Sequence, residues 1–272
     1  MKENVLVITN FSPASQNALA YACQLLDGKR YEVLLVHIYT LPVTYTVEGI
    51  ALASVSESFQ EIEWQLNAAV EWVQQQFPEL NIRARYIMGG LVESLRQLIA
   101  EQEPQLVLFG TAGYYSELWH TDSELLLALR NLTVPVMIVP QHIAFQSLQR
   151  IGFACDYKSI CIPKQVDFIR QLLQQTGAEL YVVHVTRSKP DTELMKKNEN
   201  LLQEALKEVR PHYHAVNSPK VFEAIDDFVV ENNLDLLMVI PRKHEFWSGL
   251  FHKNNIDQLA FLNRLPILAL PE

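Results

Sequence analysis

Short apolar runs alternate along this chain with longer stretches of 3.6-residue periodicity, the pattern of βαβ units wound around a parallel sheet. The first run, Val5-Leu6-Val7-Ile8-Thr9, ends at Asn10, and Ser12-Pro13 follows as an N-cap with proline in the first turn. A helix is expected from Ala14 to Leu26, with Ala18, Leu19, Ala22, Leu25 and Leu26 on one face. Val33 to Ile38 reads as a second strand, Ser54 to Gln76 as a long amphipathic helix, and Ile82 to Met88 as a third strand. Leu91 to Glu101 is the next expected helix, then Leu106 to Phe109 a strand, Ser123 to Asn131 a helix and Val134 to Val139 a fifth strand. The runs are apolar throughout rather than alternating, as strands covered on both faces must be.

The pattern then restarts. Ile151 to Asp156 repeats Val5 to Asn10 at an offset of 146, and His184 lies 147 residues after His37. Val92-Glu93-Ser94-Leu95 matches Phe222-Glu223-Ala224-Ile225 at an offset of 130, as Leu106 matches Leu236. Pro135-Val136 matches Pro266-Ile267 at 131. Matched segments in one order argue for a duplication, and the fall in offset shortens the second copy between its second and third strands. Two tandem α/β domains are expected, 1–143 and 148–272, joined by the polar stretch from His142 to Gln149.

Composition narrows the function classes. The chain has 272 residues, 49% of them hydrophobic, which is material for two sizeable cores. Its 22 Lys+Arg stand against 31 Asp+Glu, a net charge of −9 that repels phosphate backbones, so no nucleic-acid partner is expected. Neither an eighteen-residue apolar run nor a leader-like hydrophobic segment is present, so no membrane association and a cytoplasmic location are expected. Cys23, Cys155 and Cys161 sit at no metal-ligand spacing and fit a reducing compartment. The chain carries no G-x-x-x-x-G-K-[ST] loop, no G-x-G-x-x-G after its first strand and no G-x-S-x-G elbow. The expectation is that it is not an enzyme.

Several side chains admit a plain and a sharper reading. Trp64 and Trp72 share a helix face with Ala68, which reads first as core packing and second as a partner groove. His212-x-His214 reads as a solvated strand ahead of a metal site, and His37 and His184 read as satisfied strand histidines. Cys155 and Cys161 read as spectator thiols ahead of a redox switch.

Residues 4–139 and 150–271 both resemble the universal stress protein family. The resemblance rests on Asn10-Phe11-Ser12 after the first strand, LLVHIY at 34–39, PQLVLFGTAG at 104–113 and VPVMIVP at 134–140. In the second copy it rests on FACD at 153–156, LYVVHV at 180–185, LDLLMVIP at 234–241 and LPILAL at 265–270. It implies two doubly wound, Rossmann-like domains, each a five-stranded parallel sheet of order 3-2-1-4-5 flanked by helices. It also implies a stress-response role, with ATP bound by some members.

Given that strand order, a ligand belongs outside the carboxyl ends of strands one and four, where the order reverses. Thr9, Asn10, Gly110, Thr111 and Gly113 stand there, with Gly89 after strand three and Ser123 at the next helix start. Glycines let backbone approach a phosphate, and helix N-terminal amides favour an anion. The family's motif G-x2-G-x9-G-[S/T] is met by Gly110, Gly113 and Ser123, with Asp122 in place of the third glycine and an interval one residue short. Asn10 replaces the family's acidic residue and retains hydrogen-bonding capacity toward a ribose or base, and Gly89 matches the family's glycine. In the second copy Asp156 keeps the acid, but Ile240 and Lys243 replace the glycines, and Lys253 and Asn254 replace Gly-Ser.

Two readings stand open at this point. One is a stress-response module binding an adenine nucleotide, ATP with Mg²⁺, in its N-terminal domain. The other is a stress-associated scaffold for an unidentified protein partner, with both pockets degenerate. The family resemblance also implies that the edge fifth strands hold the two copies together as an intramolecular pseudo-dimer.

Overall fold

The computed structural model describes residues 2–40, 52–112, 133–157, 163–186, 192–240 and 264–271, with backbone alone for 52–58. The chain divides into two compact units, Met1–Phe145 and Gln146–Glu272.

The first unit is a parallel sheet built from β1 (Glu3–Thr9), β2 (Tyr31–Tyr39), β3 (Asn81–Met88), β4 (Leu106–Thr111) and β5 (Val136–Pro140). Its strand order is β3-β2-β1-β4-β5, as expected. Central β1 pairs with β2 through Val5↔Val33 and with β4 through Val5↔Leu106. Val5, Leu6, Val7 and Leu108 are fully buried, which is why these strands read as unbroken apolar runs. Edge strand β3 is more polar: Arg83 pairs with Glu32 of β2 at 2.9 Å, and Arg85 with Glu101 at 3.1 Å. Charges of this kind blunt an edge against stray pairing and add little stability.

Among the described residues three helices cover the sheet, α1 (Pro13–Leu25), α2 (Leu52–Gln76) and α3 (Leu91–Gln102); the helix expected from Ser123 to Asn131 lies outside them. Ser12 caps α1, its hydroxyl accepting from Ser15 N at 3.3 Å, and Pro13 opens the first turn. Replacing Ser12 with alanine is expected to cost about 1 kcal/mol, read from urea unfolding, because the Ser15 amide loses its acceptor. A neutral outcome would mean that water serves that amide equally well. Buried Ile62, Leu66 and Val73 form the inner stripe of α2. Trp64 and Trp72 lie off that stripe, 66% and 40% exposed, so the core-packing expectation for them is wrong. Helical periodicity alone does not say which of two apolar stripes faces the sheet.

Strand β4 continues two residues past the expected end, pairing Gly110 with Val139 and Thr111 with Pro140. The expected turn after Phe109 therefore starts later: tertiary pairing with β5 carries the strand through Gly110 despite glycine's poor fit to strands.

The second unit repeats the plan with β6 (Arg150–Ala154), α4 (Pro163–Thr176), β7 (Glu179–Thr186), α5 (Glu193–Leu206), β8 (His212–Asn217), α6 (Val221–Glu231), β9 (Leu236–Val239) and β10 (Ile267–Ala269). All described pairings are parallel, in the order β10-β9-β6-β7-β8, which is the first unit's order. Helix α5 has 14 residues where α2 has 25, and this accounts for much of the shorter middle. His212 and His214 lie exposed on edge strand β8.

Candidate functional site

The strand registers bring Thr9 level with His37 on one side and, two residues past the Val7↔Leu108 pair, with Gly110 on the other. Thr9, Asn10, Gly110 and Thr111 therefore meet at the carboxyl ends of β1 and β4, where the strand order reverses. Thr9 is buried, its hydroxyl 3.1 Å from Ser15 Oγ and accepting from Phe11 N at 3.0 Å. That hydroxyl is committed inside the chain. Asn10 is exposed, and its Oδ1 accepts from Ser12 N at 3.2 Å and from Ser12 Oγ at 2.6 Å. What Asn10 can offer a ligand is its amide NH₂.

A different job falls to Gly110 from the one its sequence position suggested. A Cβ built there would lie 2.0 Å from the Ala14 carbonyl oxygen and 2.6 Å from Ser15 N. The residue is glycine so that the first turn of α1 can lie directly on β4. Thr111 is buried, and its carbonyl accepts from Gln141 N at 2.8 Å. Gly89 is exposed at φ 151°, donates to the Tyr39 carbonyl at 3.1 Å and accepts from Thr40 Oγ1 at 3.2 Å, tying the ends of β2 and β3. Gly113 and Ser123, together with Asp122, lie outside the described residues, as do Lys243, Lys253 and Asn254.

A feature not read from the sequence stands beside these residues in both units. Phe11 adopts the left-handed conformation at φ 63° and stacks on His37, the ring centroids 4.5 Å apart. His37 Nδ1 lies 2.8 Å from the Thr9 carbonyl oxygen, so that nitrogen carries the proton and donates, leaving Nε2 the acceptor in the neutral ring. The row continues through Tyr39 to Phe59 of α2, at 5.6 Å, and from Phe59 to Tyr86 of β3, at 5.5 Å. In the second unit Tyr157 takes φ 52° with its ring 4.6 Å from His184, whose Nδ1 lies 2.9 Å from the Cys155 carbonyl oxygen. A common offset of 146 links Phe11 to Tyr157 and Thr9 to Cys155, which was the available signal. Left-handed backbone at a bulky residue costs about 1–2 kcal/mol and persists only where neighbours hold it.

The two brackets differ in cover. Phe11, His37 and Tyr39 are half-buried, whereas Tyr157 and His184 are buried beneath α5, where the buried Asn198 donates to the Tyr157 carbonyl at 2.8 Å. Ile240 occupies the position equivalent to Gly110. Asn17 of α1 completes the first unit's frame, its Nδ2 donating to the carbonyls of Pro140 at 2.8 Å and Ile143 at 2.9 Å.

Burial pushes the Cys23 thiol up to about 12, which makes it an inert core side chain, and Cys161 lies outside the described residues. Among the described residues no cluster of three His, Cys, Asp or Glu side chains could hold a metal ion, and no helix is long and apolar enough to cross a membrane.

The sequence profile of the Universal stress protein family matches residues 1–140. No curated protein matches the chain in sequence. Among solved structures, a universal stress protein from Archaeoglobus fulgidus DSM 4304 superposes with TM-score 0.70 at 15% identity, covering 98% of each chain. A putative universal stress protein from Pseudomonas aeruginosa UCBPP-PA14 superposes with TM-score 0.57 at 11% identity, over 99% of this chain and 93% of that one. The cytoplasmic domain of a prokaryotic cation chloride cotransporter superposes with TM-score 0.53 at 13% identity, over 99% of this chain and 95% of that one. At these identities the likeness is one of fold.

Proposed function

Because the chain belongs to the universal stress protein family, we infer that its first unit binds an adenine nucleotide at the carboxyl ends of β1 and β4, and that occupancy there reports a stress or energy state in the cytoplasm. One observation carries this reading: the first unit leaves half-open the bracket that the second unit roofs over. Phe11, His37 and Tyr39 stay half-buried beside exposed Asn10 and Gly89, while Tyr157 and His184 are sealed under Asn198. A half-open aromatic edge with the Asn10 side-chain amide beside it suits a purine nucleoside. The phosphates would fall to the backbone after β4, toward Gly113 and Ser123, and Mg²⁺ would offset the charge that Asp122 sets against a triphosphate. In this reading the protein is a binding module rather than an enzyme, and its second unit is not a nucleotide site.

The test begins with protein purified without added nucleotide. Denaturing it and passing the supernatant over anion exchange should release about one adenine nucleotide per chain. Adding Mg-ATP at about 100 times its Kd should stabilise the chain by roughly 2.7 kcal/mol in a thermal melt. Gly113→Val should abolish both effects, its ligand-free melt being recorded beside the parent's. No released nucleotide and no shift would leave the scaffold reading, which the Asp122 substitution and the use of this fold as a transporter's cytoplasmic domain both favour.

A further inference from the structure

Along α2, from Leu52 to Gln76, the chain contains four glutamates and no lysine or arginine. On the exposed side of α2 stand Trp64 at 66% and Trp72 at 40% exposure, eight residues apart with the small, exposed Ala68 midway between them. That spacing sets the indoles about 12 Å apart along the helix, with a notch at Ala68 into which a partner side chain can descend. Phe77 extends the patch past the helix end, its ring 5.9 Å from that of Trp72. Glu61, three residues before Trp64, and Glu71, three after Ala68, are exposed on the same face of the helix.

Large exposed aromatic rings of this kind mark the anchor positions of protein interfaces more often than ordinary surface. The charge around them decides what can be anchored. A second copy laying its α2 on this one would set glutamate against glutamate, which costs affinity. Anionic lipid and nucleic-acid backbones are repelled for the same reason. A cationic partner is favoured twice over: its lysine and arginine groups meet the carboxylates, and those over an indole face gain a cation–π contact.

We propose that the Trp64–Ala68–Trp72 face of α2 is a docking surface for a basic amphipathic helix of another protein, whose apolar stripe covers the indoles while its Lys and Arg side chains engage Glu61 and Glu71. This surface does not depend on the nucleotide reading.

The test uses the full chain and a fluorescein-labelled helix of lysine and leucine at amphipathic spacing, roughly 18 residues long so that it holds helical structure. Anisotropy should report binding that weakens as salt is raised. Trp64→Ala with Trp72→Ala should weaken it about tenfold, the loss of one interface anchor or more. The double change Glu61→Gln and Glu71→Gln should weaken it and flatten the salt dependence. Trp72 packs on Phe77, so the tryptophan variant should melt somewhat below the parent, and anisotropy is read well below its midpoint, where any loss is lost contact. The proposal is overturned if the peptide does not bind, if the tryptophan variant binds it as well as the parent, or if a leucine-free lysine peptide binds equally. A chain dimer in sedimentation that the tryptophan variant dissociates would also overturn it, assigning the face to a second copy.

Discussion

Gly110→Ala is expected to destabilise the first unit by roughly 3 kcal/mol or more, the upper end of what overpacking costs. The added methyl would sit 2.0 Å from the Ala14 carbonyl oxygen and 2.3 Å from its carbon, and both are backbone atoms at the start of a capped helix. No rotamer change relieves such a clash; α1 must lift off β4. Lifting it would strain the hydrogen bonds by which Asn17 holds the carbonyls of Pro140 and Ile143. Urea unfolding measures the loss, with Gly90→Ala as the control: nothing lies within 4 Å of a Cβ at Gly90, and its φ is −75°. That control should stay within about 1 kcal/mol of the parent. A mild Gly110→Ala would show that α1 can lift off β4 at little cost. The result also bears on function. Loss of nucleotide binding on mutating Gly110 says nothing direct about phosphate contact, and Gly113 is the better probe.

Phe153→Ala should be of similar or larger size, about 3–5 kcal/mol, through the opposite mechanism. Phe153 is fully buried at the centre of β6, in register with Val182 on one side and Met238 on the other. Removing its ring leaves a void that parallel strands, fixed by their ladders, cannot close. The unfolding midpoint should fall by roughly 1–2 M urea without a change of slope, and Phe153→Leu should recover most of the loss. A near-neutral Phe153→Ala would mean that the second unit's core is loosely packed.

These two sites also mark what the sequence could and could not disclose. The strands were legible because burial on both faces demands unbroken apolar runs, and the duplication because its offsets recur. Phe153 could be placed in a core from its run alone. Gly110 could not be assigned correctly, since a glycine needed for helix approach and one needed for phosphate approach look the same until Ala14 is seen above it. Phe11 and Tyr157 gave no local sign of their left-handed backbone, because the aromatic–histidine contact that holds it joins residues 26 and 27 apart in sequence, Phe11 to His37 and Tyr157 to His184. The tryptophans were misplaced for another reason. Periodicity identifies a stripe, and only the sheet beneath decides which stripe it covers.

Central strand β1 carries a consequence for how the chain is made. Its two neighbours are encoded far apart, Val33 close by and Leu106 about a hundred residues downstream. At roughly 5–20 residues per second, about 5–20 s separate synthesis of the strand from that of its second partner. Through that interval Val5 to Ile8 must stand with one flank unpaired on the ribosome. Folding of the first unit is therefore gated by translation of β4 and β5, and a pause placed before Leu106 would prolong an aggregation-prone interval.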